Sequence, residues 1–400
     1  MKPEVGRDWL PQLLTAAHTL PPAELPTLVG DAARSLGARE AVVYLADYEQ
    51  ATLMPLAMDG AHQPLAIDTT FAGRAFCAVD LLESSDGERL WVPILDGTER
   101  LGVLELVAPA IDDRLRSGAW PLSSLLALLL TSKTLNTDLF AVARRRKTMT
   151  LAAETQWELL PPLTFASSRV VISGMLEPSY RIGGDSFDYA LNGDLAHLAI
   201  LDAMGHGISA SLLAAFAVSA YRHSRRGGDT LEEVYRSVDA ALTVQFGTER
   251  FVTAQFAALD CATGELRWVN AGHPPPLLIR DGRVVGSMTC PPSLPLGLGG
   301  HVEAVAVEQL QPRDRVFLFS DGVVEARSAQ GRFFGQDRLI DMLERETAAG
   351  LPAPETVRRL VRAVMEHHGG TVQDDATMLL VEWRGPDDPG PPEWVPQRAT

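Results

Sequence analysis

Residues 183–207 read GGDSFDYALNGDLAHLAILDAMGHG. Asp185 to Leu191 and Leu195 to Leu201 have strand character, and each run carries an aspartate at an edge: Asp185 behind Gly183-Gly184, and Asp202 ahead of Ala203-Met204-Gly205-His206-Gly207. Two other places repeat the arrangement. Ser320-Asp321-Gly322 follows the apolar run Val316 to Phe319, and Asp374-Asp375 precedes the strand-like run Ala376 to Glu382. A strand that is apolar throughout is buried along its body and meets solvent only at its ends, so these carboxylates belong at the rim of a core. Carboxylates gathered at one rim repel one another and lose solvation unless a cation neutralises them. An all-oxygen set poor in histidine suits Mg2+ or Mn2+ and disfavours Zn2+. Two such ions, about 3.5–4 Å apart, lower the pKa of a water held between them and present hydroxide to phosphorus for in-line displacement. A lone Asp-Gly after a strand is only a turn signal. The series carries the reading, not any one member.

Around this stretch, strand-like runs dominate from Arg169 onward: Val170 to Leu176, Phe251 to Leu259 and Glu265 to Ala271 join those already named. Ile208 to Tyr221 and Thr230 to Phe246 read as helices, the second opened by Thr230 and Glu233 at capping-box spacing. Val357, Leu360, Val361, Val364 and Met365 form an apolar stripe at helical spacing.

Seven motifs lie in order along about 220 residues. They are Ala153-Glu154-Thr155-Gln156-Trp157-Glu158-Leu159-Leu160-Pro161, Gly183-Gly184-Asp185, Asp202 through Gly207, Asn270-Ala271-Gly272-His273-Pro274, Leu294-Pro295-Leu296-Gly297, Ser320 through Ala326, and Asp374-Asp375-Ala376-Thr377. Together they resemble the catalytic domain of metal-dependent protein phosphatases of type 2C (PPM), in the SpoIIE/RsbU-like branch. The resemblance implies an α+β chain ending in a two-sheet β-sandwich flanked by helices. It also implies hydrolysis of phosphoserine or phosphothreonine on a regulatory protein, a phosphorylated STAS-type anti-anti-sigma factor, with two Mn2+ or Mg2+ ions. By the same resemblance Asp185 and Asp202 hold the metal pair with the carbonyl of Ala203, and Asp321 and Asp374 complete the cluster. Asp188 and Asp375 either bind through water or support the ligands. Eukaryotic members place a histidine two residues after the metal-binding aspartate, where Met204 stands here. Water then protonates the leaving oxygen. Arg181 is the nearest cation for a phosphate clamp but reads more readily as a surface residue. His273, in a turn before proline, reads as a hydrogen-bonded structural residue, and His367-His368 as a helix C-terminus.

The 400 residues exceed one core, which predicts two domains and a connector. The expected limits are 1–133 for an N-terminal domain, 134–161 for a helical linker, 162–384 for the phosphatase domain and 385–400 for a disordered tail. In the first, helical stretches from Asp8 to Leu36 precede strands at Ala41 to Ala46, Thr52 to Met58, Leu90 to Leu95 and Leu101 to Val107. A helix from Trp120 to Leu130 follows. The last two strands resemble the closing hairpin of GAF domains, implying a single sheet with flanking helices that senses an unidentified small ligand or protein and gates the enzyme. Cys77, Phe71 and Phe76 line a pocket there or pack in a core. Leu135, Leu139, Val142, Met149, Ala153 and Leu160 make a seam, broken at Arg146 and Gln156, that predicts a linker helix pairing across a homodimer.

A formal charge of −16 excludes a phosphate-backbone binder. The run Arg144 to Lys147 reads as a solvated stretch of helix. Three cysteines without close spacing fit a reducing cytoplasm. No apolar run approaches the roughly 18 residues of a membrane span, and the N-terminus lacks a signal-peptide layout. The rival function is a catalytically weak phosphatase fold kept as a signalling scaffold, which loss of a metal aspartate would favour. All four are present.

Overall fold

The computed structural model describes residues 9–56, 60–181, 183–368 and 374–386, and these fall into two compact units divided in sequence between Thr148 and Met149. In the first, α1 (Trp9–Ala17) and α2 (Leu25–Leu36) are separated by Pro21-Pro22. Gly37 ends α2 at φ 105°, a left-handed turn that favours glycine. Then follow β1 (Glu40–Ala46), β2 (Thr52–Pro55), β3 (Leu65–Ala66), α3 (Phe71–Ala78), β4 (Leu82–Glu83), β5 (Arg89–Asp96), β6 (Glu99–Val107), α4 (Asp113–Thr134) and α5 (Leu139–Ala143). They build one antiparallel sheet of order β3-β2-β1-β6-β5-β4. β5 and β6 form the expected hairpin, with Val92 opposite Leu104.

Alternation divides the side chains between two cores. Val43, Leu45, Leu90, Val92 and Ile94 pack with α2, α4 and α5, while Val42, Tyr44 and Trp91 turn to the other face with α3. Helices thus cover both faces, and Phe76 is core while Phe71 stacks half-exposed on Trp91.

The continuous helix expected over 134–161 is absent. α4 ends at Thr134, α5 is five residues long, and the next helix starts at Leu151. Local caps interrupt it: the Thr137 hydroxyl accepts from the Leu139 amide, and that of Thr150 from the Ala153 amide. The basic run is not a solvated helix either. Arg144 donates to the Ala46 carbonyl over the Tyr48 ring, Arg146 meets Asp47 and Glu49, and Lys147 meets Glu49, so the run is tied to the β1–β2 turn. Phe140 and Ala143 are spent in the first unit's core. A dimer seam running through this segment therefore has no helix to carry it.

The second unit holds α6 (Leu151–Leu159), β7 (Thr164–Ala166), β8 (Val170–Glu177), β9 (Asp185–Asn192), β10 (Leu195–Ala203), α7 (Ile208–Gly227), α8 (Leu231–Phe246), β11 (Val252–Asp260), β12 (Glu265–Ala271), β13 (Leu277–Arg280), β14 (Arg283–Ser287), β15 (Ala306–Gln309), β16 (Arg315–Phe319), α9 (Asp321–Val324), α10 (Gln336–Ala348), α11 (Ala353–His367) and β17 (Ala376–Trp383). One sheet has the order β15-β12-β11-β10-β9 and the other β14-β13-β16-β17-β8-β7. Their facing side chains, among them Ile172, Phe187, Leu198, Ile200, Leu318 and Leu379, form the sandwich core. The outer face of the five-stranded sheet, with Ala199, Leu201 and Val252, packs on α7 and α8. The capping box at Thr230 and Glu233 is present. Most of the expected tail, 387–400, lies outside the described residues. Among the described residues no helix is long and apolar enough to cross a membrane.

Candidate active site

Asp185 opens β9 and lies directly opposite Asp202, the penultimate residue of β10. Phe187 and Ile200 enter the sandwich core while Leu201 turns to the helices, so the two-residue period puts both aspartates on the sandwich-facing side at its open end. The other sheet closes on the same rim. Ser320, between β16 and α9, donates from Oγ to Asp185 Oδ2 at 2.6 Å. Ser320 Oγ in turn accepts from the Thr377 amide at 3.0 Å, which ties the ends of β16 and β17 to β9. Asp321 is the next residue, and Asp374-Asp375 precedes β17.

The electrostatics record this convergence. Burial raises the Asp202 pKa to about 7, and the charges of Asp321 and Asp374 push it the same way. Burial, followed by repulsion from Asp202 and Asp375, holds the Asp185 pKa well above the ordinary carboxylate value. Asp374 is raised by burial and by Asp321. A divalent cation would relieve all of these costs. Among the described residues no three such side chains close into a ready cage around one point. The donors at the rim are all oxygens, a set that suits Mg2+ and Mn2+ better than zinc. Asp185, Asp202, Asp321, Asp374 and the Ala203 carbonyl are the groups available to hold it. The turns are tight: a Cβ on Gly184 would stand 2.5 Å from the Ala203 oxygen, and one on Gly322 would stand 1.9 Å from the Asp375 oxygen.

Asp375 has a definite task. Its Oδ2 accepts from the amides of Gly183, Gly184 and Asp185 at 2.8, 2.7 and 3.3 Å, fixing the turn that delivers Asp185. Asp188 does not join the cluster. Three residues from Asp185 along a strand, it faces the opposite side, where Arg222 and Arg225 of α7 grip it at 2.7 and 2.8 Å. Removing one partner from such a buried pair costs about 3–5 kcal/mol. His273 is structural as expected. Its backbone is bracketed by the Asn270 side chain, Nδ1 meets Thr253 Oγ1 at 2.9 Å, and burial lowers its pKa to about 3. Arg181 is exposed in the turn after β8. His367, the last residue of α11, is engaged by Arg338 and the Arg332 carbonyl. Sequence reasoning passed over Ser320 and the arginines of α7; a hydroxyl flanking Asp321, and cations on the helix that follows Gly207, were the available signals.

Residues 192–384 match the SpoIIE family, described as Stage II sporulation protein E. Protein IcfG of Synechocystis is 25% identical over 240 residues, 52% of this chain and 37% of that protein. Phosphoserine phosphatase RsbU of Bacillus subtilis is 22% identical over 232 residues, 58% of this chain and 68% of that protein. The chain thus spans little more than a third of the one relative and two thirds of the other. Among solved structures, the SiaA-PP2C domain of Pseudomonas aeruginosa is 22% identical with a TM-score of 0.50, covering 58% of this chain and 94% of that domain. By the family match over residues 192–384, the second unit carries a SpoIIE-type domain of the PP2C (PPM) phosphatases, in the SpoIIE/RsbU branch.

Proposed function

We propose that the protein is a Mg2+- or Mn2+-dependent serine/threonine phosphatase acting on a phosphorylated regulatory protein. The observation that carries it is Asp202 opposite Asp185 at the end of adjacent strands, its carboxyl raised to about 7 by burial and by Asp321 and Asp374. Metal ions there would supply an activated water and offset charge on the phosphoryl oxygens. The chain's own residues aim it: Ser320 orients Asp185, and Asp375 holds the glycine turn.

The name of RsbU, a phosphoserine phosphatase, supports phosphoserine as the bond broken. A phosphorylated STAS-type anti-anti-sigma factor is the substrate that the family resemblance suggests. The first unit, a GAF-like sheet in this reading, gates the enzyme in response to a ligand or protein. A homodimer stays part of the proposal only through surfaces other than a continuous 134–161 helix. Cys77, Cys261 and Cys290, present as thiols, suit a cytoplasmic setting. The scaffold reading draws no support from the site, which retains its four aspartates.

The test is phosphate release from p-nitrophenyl phosphate and from a phosphoserine STAS protein, with Mn2+ or with chelator. Turnover that needs the metal and disappears in Asp202→Asn is expected. Full turnover in chelator sinks the reading.

A further inference from the structure

Asp188 is 2% exposed and is met there by two arginines. Its Oδ1 accepts from Arg222 Nε at 3.1 Å and Nη2 at 2.7 Å, and its Oδ2 from Arg225 Nη1 at 2.8 Å. Arg222 Nη2 also donates to the carbonyl of Leu159, the last residue of α6. Arg225 is 7% exposed and lies over the Tyr221 ring. One carboxylate therefore joins β9, α7 and the end of α6. Each of these reaches the aspartate rim: β9 begins with Asp185, α7 follows directly on the loop from Asp202 to Gly207, and Gln156 of α6 donates to the Gly183 carbonyl at 3.4 Å. Between them there is no slack, for a Cβ on Gly183 would meet the Gly207 amide nitrogen at 2.5 Å.

Resting on the metal-dependent reading above, we infer that Asp188 is a positioning residue for the metal cluster: by clamping α7 and α6 to β9 it fixes the spacing between the Gly183–Asp185 turn and the Asp202–Gly207 loop. In Asp188→Asn, the buried Arg225 and the partly buried Arg222 face one another across a neutral amide. α7 is then pushed from the sheet, and the loop at its head moves with it.

The experiment titrates Mn2+ into full-length wild type, Asp188→Asn and Arg222→Gln by calorimetry, beside p-nitrophenyl phosphate turnover as a function of Mn2+. Asp188→Asn is expected to bind the wild-type number of ions with Kd weakened ~10-fold or more, the range for residues that orient metal ligands. Turnover should recover toward wild type at saturating Mn2+. Arg222→Gln, partly exposed and losing the Leu159 tie, should shift Kd in the same direction, and it decides the matter if Asp188→Asn does not fold. Unchanged affinity in the folded variants overturns the inference, as does a lost ion, which would make Asp188 a ligand, or a turnover defect that Mn2+ cannot relieve. Wild type that binds no Mn2+ overturns the metal-dependent reading as well, whereas wild-type binding with unshifted variants overturns this inference alone.

Discussion

Asp202 resists ionisation because it is buried and because Asp321 and Asp374 add negative charge beside it. Its folded pKa of about 7 lies above the ordinary 3.8, so the fold prefers the protonated form. The stability linked to that proton is complete below the unfolded pKa and is lost as pH rises through the folded one. In chelator, melting temperature should therefore fall between about pH 4 and pH 7 through this group, by an amount on the order of a few kcal/mol in stability. A divalent ion takes the proton's place, so Mn2+ should raise the melting temperature little at pH 5 and by several degrees at pH 8. Asp202→Asn should flatten the chelator curve and abolish turnover; equal Mn2+ stabilisation at both pH values counts against the site. The strand-end aspartates were legible because an acid bordering an apolar strand has few places to go. Asp188 was left open between a water-mediated ligand and a support for the ligands, and the two-residue period, which sends it to the face of Arg222 and Arg225, favours the second. Ser320 was hidden behind Asp321, since a hydroxyl's partner is fixed only when the second sheet arrives.

Among the elements, the long strands and helices were legible from their apolar runs, and the β5–β6 hairpin from its turn. Short pieces such as β3, β4, β7 and α9 were not, for two to four residues carry no period of their own and form by tertiary pairing. The linker failed for the opposite reason. Its seam had helical spacing, but Thr137, Thr150 and the Arg144–Lys147 anchors offered the backbone and side chains better partners than a straight helix. The connection from β16 into α9 is where element geometry governs the site, because Gly322 passes the Asp375 carbonyl with no room for a methyl group. Both neighbours are backbone and cannot rotate away. Gly322→Ala should cost about 1–3 kcal/mol, as overpacking does, and should displace Asp321 or Asp375. A lowered melting temperature with a loss of metal-dependent turnover is expected. Wild-type turnover would mean that the α9 turn does not set the cluster.

At the scale of the molecule, the division between Thr148 and Met149 assigns α6 to the catalytic unit, although its sequence motif reads as the end of a linker. Its contacts explain why. Trp157 Nε1 donates to the Ser179 carbonyl at 2.8 Å, the Ala152 carbonyl accepts from Ser211 Oγ at 3.1 Å, and the Leu159 carbonyl accepts from Arg222. Thr150 caps the helix and gives its amide to the Tyr180 carbonyl at 3.0 Å. The helix thus braces the turn before Gly183 and the first turns of α7, the two structures that present Asp185 and Asp202. A chain beginning at Met149 keeps the brace, and one beginning at Pro162 loses it while keeping every aspartate. The sandwich has its own core in both, so both should fold, the shorter melting lower because buried Gln156 and partly buried Trp157 are gone and their partners are exposed. Turnover of p-nitrophenyl phosphate with Mn2+ should persist from Met149 and drop by ~10-fold or more from Pro162, much as when ligand-orienting groups are removed. Melting curves and Mn2+-dependent rates of the two truncated chains decide it: equal rates and equal melting would leave α6 a passive tether, and the catalytic unit would begin where the sandwich does.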